Sequence, residues 1–336
     1  MEKYFGSRLI PEIWSTIALS SSILLIGCEG GFNLLHTLPL YFSIKNQGKE
    51  VHLCNMSLAS LKSSTAEVIY RDQGISQSPV LYKVHHNSEF SSSGTKSKEY
   101  FPEKYLSEWF QNTLDLNIPI YCTERIGPKN LSEAYKIICE THNIDLIIIV
   151  DQGSDSLMAG NEQEIGSYLE DMLTIFSVHR TGINSILCNI AIGYDRFSGV
   201  SDCSSWRAIA ELIESAGFLG NFSLLNSQSE VQLYKDASLY VEEKIQRKNY
   251  SGICIRAALE GKFGKIVFEE IQRVDFIMPI MSQMFFFKLD EVIKRIKYRE
   301  MVEETKTAAD FVTGIEYFRN ELTVKIREEI PRTKQF

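Results

Sequence analysis

No run in this 336-residue sequence reaches the roughly 18–20 apolar residues that a membrane-spanning helix needs. The nearest approach is Ile13 to Cys28. Pro11 and Glu12 precede it and serines interrupt it, so neither a signal nor a membrane segment is expected. Also missing is any C-x-x-C pair. Seven cysteines (28, 54, 122, 139, 188, 203 and 254) are scattered, odd in number and often set in apolar runs. That pattern speaks against a disulfide framework or a structural zinc site, and for buried, reduced thiols in a cytoplasmic protein that holds no metal. An excess of basic charge is missing too. There are 35 Lys and Arg against 43 Asp and Glu, a net charge of −8, whereas nucleic-acid surfaces are normally basic. Neither nucleic acid nor a membrane is expected as a partner.

Two nucleotide signatures are absent in their usual form. A dinucleotide-binding turn reads G-x-G-x-x-G and is followed by an acid at the end of the second strand. Here the turn reads G-x-x-G-G, and Asn55 stands where that acid would be. Both features disfavour a conventional dehydrogenase. Gly94-Thr95-Lys96-Ser97 has the ending of a phosphate-binding loop, but Glu89 occupies the position of its first glycine. It lies in the serine-rich stretch 87–99, which reads as a surface loop.

The composition is 44% hydrophobic and 11% aromatic, enough for a full core in one large α/β domain with an appendage. The chain is organised around Ile23-Leu24-Leu25-Ile26-Gly27-Cys28-Glu29-Gly30-Gly31-Phe32-Asn33. Four aliphatic residues bounded by glycine read as a buried strand. Leu34, Leu35, Leu38 and Phe42 then predict a helix, whose N-terminal N–H groups could meet a phosphate. Residues 1–20 read as a short leader. Strands are predicted at 49–55, 80–84, 118–122, 146–151 and 183–192. Helices are predicted at 102–116, from Pro128, and at 202–217 and 228–248. Ser167 to Glu170 has the spacing of a capping box. Alternating strands and helices imply a doubly wound, mostly parallel sheet of Rossmann-like type over residues 1–285, with a helical C-terminal extension over 286–336.

Loops leaving the carboxyl ends of parallel strands share one crevice. The glycine loop and the acidic loop Asp151-Gln152-Gly153-Ser154-Asp155 are therefore expected to face each other. Asp155, Asp151 and Asn33 are the candidate catalytic residues. Gly27, Glu29, Gly30, Gly31, Gly153, Ser154, Asn161 and Glu162 are the candidate nucleotide contacts. Structural roles compete with these: the glycines could serve only a tight turn, and the aspartates could cap loop N–H groups. Glu29 would repel a phosphate, so either it meets a ribose hydroxyl or the site takes a less anionic ligand. His85-His86 reads as a strand-end pair, and His179 as a surface histidine.

The two loops resemble the prokaryotic family known as domain of unknown function 1152. Gly27 to Leu35 is similar to its opening glycine segment. Asp151 to Asp155, Gly160-Asn161-Glu162 and Ser167 to Asp171 are similar to its second segment, and Arg256 to Gly264 is weakly similar to its C-terminal glycine segment. Glu29 and Phe32 stand for glycines there, Asn33 and Asn161 for acids, and Tyr168 for a proline. The resemblance implies a fold and a site but no reaction. A looser resemblance joins Gln152-Gly153-Ser154-Asp155-Ser156-Leu157 to the sirtuin Gln-Asn-x-Asp-x-Leu segment, whose aspartate holds the nicotinamide amide, and it implies a sirtuin-like NAD-binding form of the fold. Gly153 stands where the catalytic asparagine would be, so deacylation is not implied.

The resulting expectation is an NAD-binding protein that acts as an NAD glycohydrolase and releases nicotinamide. A SIR2-like effector of antiviral defence is one setting that fits, held in check by a regulatory protein partner or as a homo-oligomer. The alternative is a non-catalytic nucleotide-sensing module.

Overall fold

The computed structural model describes residues 10–74, 77–90 and 100–330. The leader's first nine residues, and residues 91–99 of the serine-rich stretch with Gly94-Thr95-Lys96-Ser97, lie outside them. The first half of the chain runs α1 (Glu12–Leu19), β1 (Ser22–Gly27), α2 (Leu38–Lys45), β2 (Glu50–Met56), β3 (Glu67–Arg71), β4 (Pro79–Val84), α3 (Pro102–Leu114), β5 (Ile120–Thr123), α4 (Pro128–His142) and β6 (Leu146–Gln152). The second half runs α5 (Leu169–His179), β7 (Ser185–Ile190), α6 (Asp202–Glu214), β8 (Phe218–Ser223), α7 (Ser229–Ile245), α8 (Tyr250–Leu259), β9 (Gly264–Phe268), β10 (Arg273–Ile277), β11 (Gln283–Lys288), α9 (Leu289–Arg295), α10 (Arg299–Val302) and α11 (Ala308–Asn320).

Nine strands form one sheet in the order β3-β4-β5-β2-β1-β6-β7-β11-β8, and β9 and β10 pair as a separate hairpin. The centre, β5-β2-β1-β6-β7, is parallel throughout. Both flanks are antiparallel. The centre is why β1 and β6 read as unbroken aliphatic runs. Ile23, Leu25, Ile148 and Val150 join a core with residues of α2, α3, α7 and α8. Leu24, Ile26, Ile147 and Ile149 join the opposite core with residues of α4, α5, α6 and α9. Strands covered on both faces need no polar alternation. Each such side chain contributes about 1.5–3 kcal/mol when fully buried. The fold is α/β with a mostly parallel, mixed sheet and helices on both faces, compatible with a Rossmann-like arrangement.

Several expectations change. The predicted strand–helix junction after Gly27 is occupied by a 3-10 helix, Gly31–Thr37, and the α-helix starts only at Leu38. No capping box forms at Ser167: α5 begins at Leu169, and its N-cap, Tyr168, makes no side-chain cap bond. Strands β8 and β11 were not expected, and β11 crosses the 285/286 boundary. It lies between β7 and β8, with Phe286 opposite Cys188 and Gly220. Beyond it, Val292, Ile293, Phe311 and Ile315 belong to the core under α4 to α6. The C-terminal helices therefore cover one face of the sheet.

Candidate functional site

From β1, the chain reaches β2 on one side and, after further elements, β6 on the other. The strand order reverses between β1 and β6, and ligands in open α/β sheets bind outside the carboxyl ends at such a point. Glu29 and Gln152 leave the sheet there. Backbone pairing continues one step past β1, where Cys28 N donates to Val150 O at 2.9 Å.

The glycine turn is tightly packed against protein. A Cβ on Gly27 would lie 2.5 Å from Leu34 N and 2.6 Å from Asn55 Oδ1, and one on Gly30 would lie 2.2 Å from Met56 O. Tyr100 takes the Phe32 N–H at 3.1 Å, and Gly30 O takes the Asn33 N–H at 3.1 Å. Two of the N–H groups of this turn, those of Phe32 and Asn33, are thus already engaged. Asn55 is buried beneath the turn. Its Nδ2 donates to Gly31 O at 3.0 Å and to Glu103 Oε1 at 2.7 Å.

The two loops do meet, and Glu29 joins them. Its Oε2 accepts from Asn33 Nδ2 at 3.2 Å and Gln152 Nε2 at 2.5 Å, and its Oε1 accepts from Ser167 Oγ at 3.2 Å. Glu29, Asn33 and Gln152 border a cleft of about 340 Å³, whose lining also includes Tyr100, Tyr194, Arg247, Lys248, Asn249, Tyr250 and Ser251. Arg247 lies over the Tyr100 ring at 5.0 Å. Arg273 of β10 lies 5.3 Å from the centre of the Tyr194 ring and 5.4 Å from that of Tyr250, so the hairpin buttresses the aromatic wall.

A hydrogen-bonded chain fixes the start of α8. Ser251 Oγ donates to Asn249 Oδ1 at 2.9 Å, and Asn249 caps the helix by accepting from Gly252 N at 3.2 Å. Ser251 Oγ therefore accepts from His36 Nε2 at 2.9 Å, which leaves His36 Nδ1 to accept from the Tyr234 hydroxyl at 3.1 Å. Burial, helped by Arg256, lowers the His36 pKa to about 3, so the ring is neutral.

Below the cleft lie four buried aspartates: Asp151, Asp155, Asp171 and Asp195. Burial is the first cause that raises each pKa, and the neighbouring carboxylates add to it. Asp155 is pushed up to about 7, with Glu29 the next cause. Its Oδ2 accepts from Ser167 N at 2.9 Å and its Oδ1 from Ser156 N at 3.1 Å. Asp195 accepts from the N–H groups of Ser154 and Asp155. Gly153, at φ +98°, passes so close to Asp195 that a Cβ would lie 2.0 Å from Oδ2. Asp151 Oδ2 accepts from Ser156 Oγ and Asn189 Nδ2, while its Oδ1 is unpartnered, as is Asp171 Oδ1. Although no metal was expected, Cys28, Asp151 and Asp171 each present a ligand atom, and these lie within 4.8 Å of one another.

Of the sequence-predicted residues, Glu29, Gly30 and Asn33 border the cleft. Asp151, Gly153, Ser154 and Asp155 lie beneath it, 2% exposed or less for the three with side chains. Ser154 Oγ pairs with Ser205 Oγ at 2.7 Å. Asn161 and Glu162 lie elsewhere, at a small cavity beside residues 325–328. Glu162 there accepts from the N–H groups of Ala159 and Gly160. Residues that sequence reasoning missed include Tyr100, Tyr194, Asp195 and the segment Arg247 to Ser251. The last had a signal, a basic pair followed by Asn249 as a helix N-cap. His85 faces Glu67 at 3.8 Å and His179 faces Asp290 at 3.5 Å, both away from the cleft lining.

No curated protein and no solved structure matches this chain. A family model described as "Protein of unknown function (DUF1152)" matches residues 110–316, more than half of the sequence, including the acidic loop and the segment Arg247 to Ser251. The chain therefore belongs to the DUF1152 family.

Proposed function

We propose that the cleft binds a nucleotide of the NAD type and that the protein hydrolyses NAD at the nicotinamide bond. The observation that carries this reading is the composition of one cleft. Glu29, Asn33 and Gln152 supply a polar, acidic part at the switch point, while Arg247 and Lys248 supply cations beside Tyr100 and Tyr250. Arg247 and Lys248 suit the pyrophosphate, and the tyrosine rings suit a base. The reaction needs few groups. The bond from ribose C1′ to the nicotinamide nitrogen breaks with its electron pair on nicotinamide, water adds to the oxocarbenium-like carbon, and its proton leaves. A carboxylate steadies the positive sugar. Glu29 takes that role in place of Asp155, because Glu29 lines the cleft whereas Asp155 lies beneath it, 2% exposed. Restraint by a regulatory partner or by self-association belongs to this reading, since unchecked NAD loss would harm the host.

Calorimetry with NAD and ADP-ribose, together with chromatography for nicotinamide, tests it. Arg247→Ala/Lys248→Ala removes charge-assisted bonds of about 1.5–3 kcal/mol each, so affinity falls at least tenfold. Glu29→Gln slows nicotinamide release by roughly 100- to 1000-fold with binding retained. Wild-type protein that binds NAD but releases no nicotinamide rejects the hydrolase. Failure to bind either compound rejects the whole reading. The buried, donor-saturated state of Asp155 favours one other reading, a binding module without turnover, and tight binding with no product would establish it.

A further inference from the structure

The acids below the cleft divide into two kinds. Asp155 and Asp195 receive backbone N–H donors and are explained as ties between loops. Asp151 and Asp171 each keep a buried oxygen with no hydrogen-bond partner, Asp151 being 0% and Asp171 1% exposed. The two that keep an unpartnered oxygen are the two that converge on Cys28. None of the four has a Lys, Arg or His within ion-pair distance among the described residues. A buried carboxylate oxygen left without a donor or cation is costly, and bound metal is one of the few arrangements that relieves the cost.

We propose that Cys28 Sγ and the carboxylates of Asp151 and Asp171 form a site for a divalent transition cation of the zinc type. The three come from separate elements: the residue after β1, the end of β6 and the first turn of α5. The sheet and helix thus hold them in place. Zinc takes sulfur and carboxylate ligands at about 2.0–2.3 Å, so two of its ligands sit roughly 3.5 Å apart. A separation of at most 4.8 Å closes with a shift of about an ångström. The thiol selects against magnesium and calcium, which take all-oxygen sets. In the structure Cys28 Sγ donates to Asp171 O at 3.7 Å, a weak bond that a cation displaces by removing the thiol proton. Glu29, the next residue, borders the cleft.

This site goes beyond the nucleotide reading, and its test uses no nucleotide. The full chain, freed of metal by chelator, is titrated with Co²⁺ and then with Zn²⁺. The expected result is one equivalent bound per chain, with sulfur-to-cobalt charge-transfer absorption that Zn²⁺ abolishes. Cys28→Ser removes that absorption. Asp171→Asn weakens uptake by at least the roughly 10- to 100-fold that losing a ligand's outer partner costs. Cys203→Ser, at the one cysteine that is not buried, leaves the absorption unchanged. The proposal fails if wild-type protein takes up no Co²⁺, if uptake brings no thiolate absorption, or if the absorption survives Cys28→Ser or vanishes in Cys203→Ser. Should Cys28→Ser not fold, wild-type stoichiometry and absorption alongside Cys203→Ser decide it.

Discussion

Glu103, in the first turn of α3, is fully buried, and desolvation raises its pKa from 4.5 to about 7 against the pull of its own N–H, Asn55 and Ser57. The unfolded chain releases this proton near pH 4.5 and the folded one near pH 7. The stability that the neutral acid contributes is therefore complete below pH 4.5 and lost as pH rises through 7. Each unit of difference is worth about 1.4 kcal/mol, so the group costs the fold about 3 kcal/mol by pH 7.5. Glu103→Gln should remove that cost, because the amide cannot ionise and its oxygen still accepts from Asn55 Nδ2, 2.7 Å from Oε1 in the native protein. Urea unfolding at pH 4.5 and pH 7.5 measures the difference. The variant should match the wild type at the lower pH and exceed it by about 3 kcal/mol at the higher. An advantage that is equal at both pH values would refute the assignment of this titration to Glu103.

Asp155→Asn should destabilise by about 1–3 kcal/mol in urea unfolding, because both oxygens accept from N–H groups and an amide must set its NH₂ against one of them. An unchanged midpoint would show that the Ser156 or Ser167 bond is dispensable. Gly153→Ala combines a positive φ of +98° with a Cβ 2.0 Å from Asp195 Oδ2, so a loss of about 2 kcal/mol or more, seen as a lower Tm, is expected. Tyr100→Phe deprives the Phe32 N–H of its acceptor while keeping the ring under Arg247. It should cost about 1 kcal/mol and speed amide exchange at Phe32 specifically.

Legibility in the sequence followed the physics of each segment. Strand β6, with its run Leu146 to Val150, could be read because a strand covered on both faces needs only apolar residues. Helix α4 was equally plain, with Pro128 at its start and Leu131, Ala134, Tyr135 and Ile138 on its buried face. Strand β8 was hidden because Phe218 to Ser223 is half polar, contains Gly220 at φ +107°, and lies at the sheet edge. Strand β11 was hidden because what makes Met284 to Phe287 a strand is pairing with β7 and β8, which are distant in sequence. At the site, the meeting of the two loops followed from parallel topology alone. The division of labour did not: the same spacing that reads as a capping box puts Ser167 against Asp155 and Glu29. The basic wall arises from the α7–α8 connection, which no local pattern ties to β1.

The position of β11 bears on how the chain is made. Among the described residues, edge strand β8 pairs with the rest of the sheet only through β11, although about sixty residues separate the two in sequence. During synthesis, β1, β2, β5, β6 and β7 can pair as they emerge, but β7 keeps an open, apolar edge until residues 283–288 leave the ribosome. β8 meanwhile waits without a neighbour. An unpaired edge of this kind is where chains join one another wrongly. Translation that stalls after Ser251 and before β11 should therefore yield aggregates, even though every residue that lines the cleft has already been made.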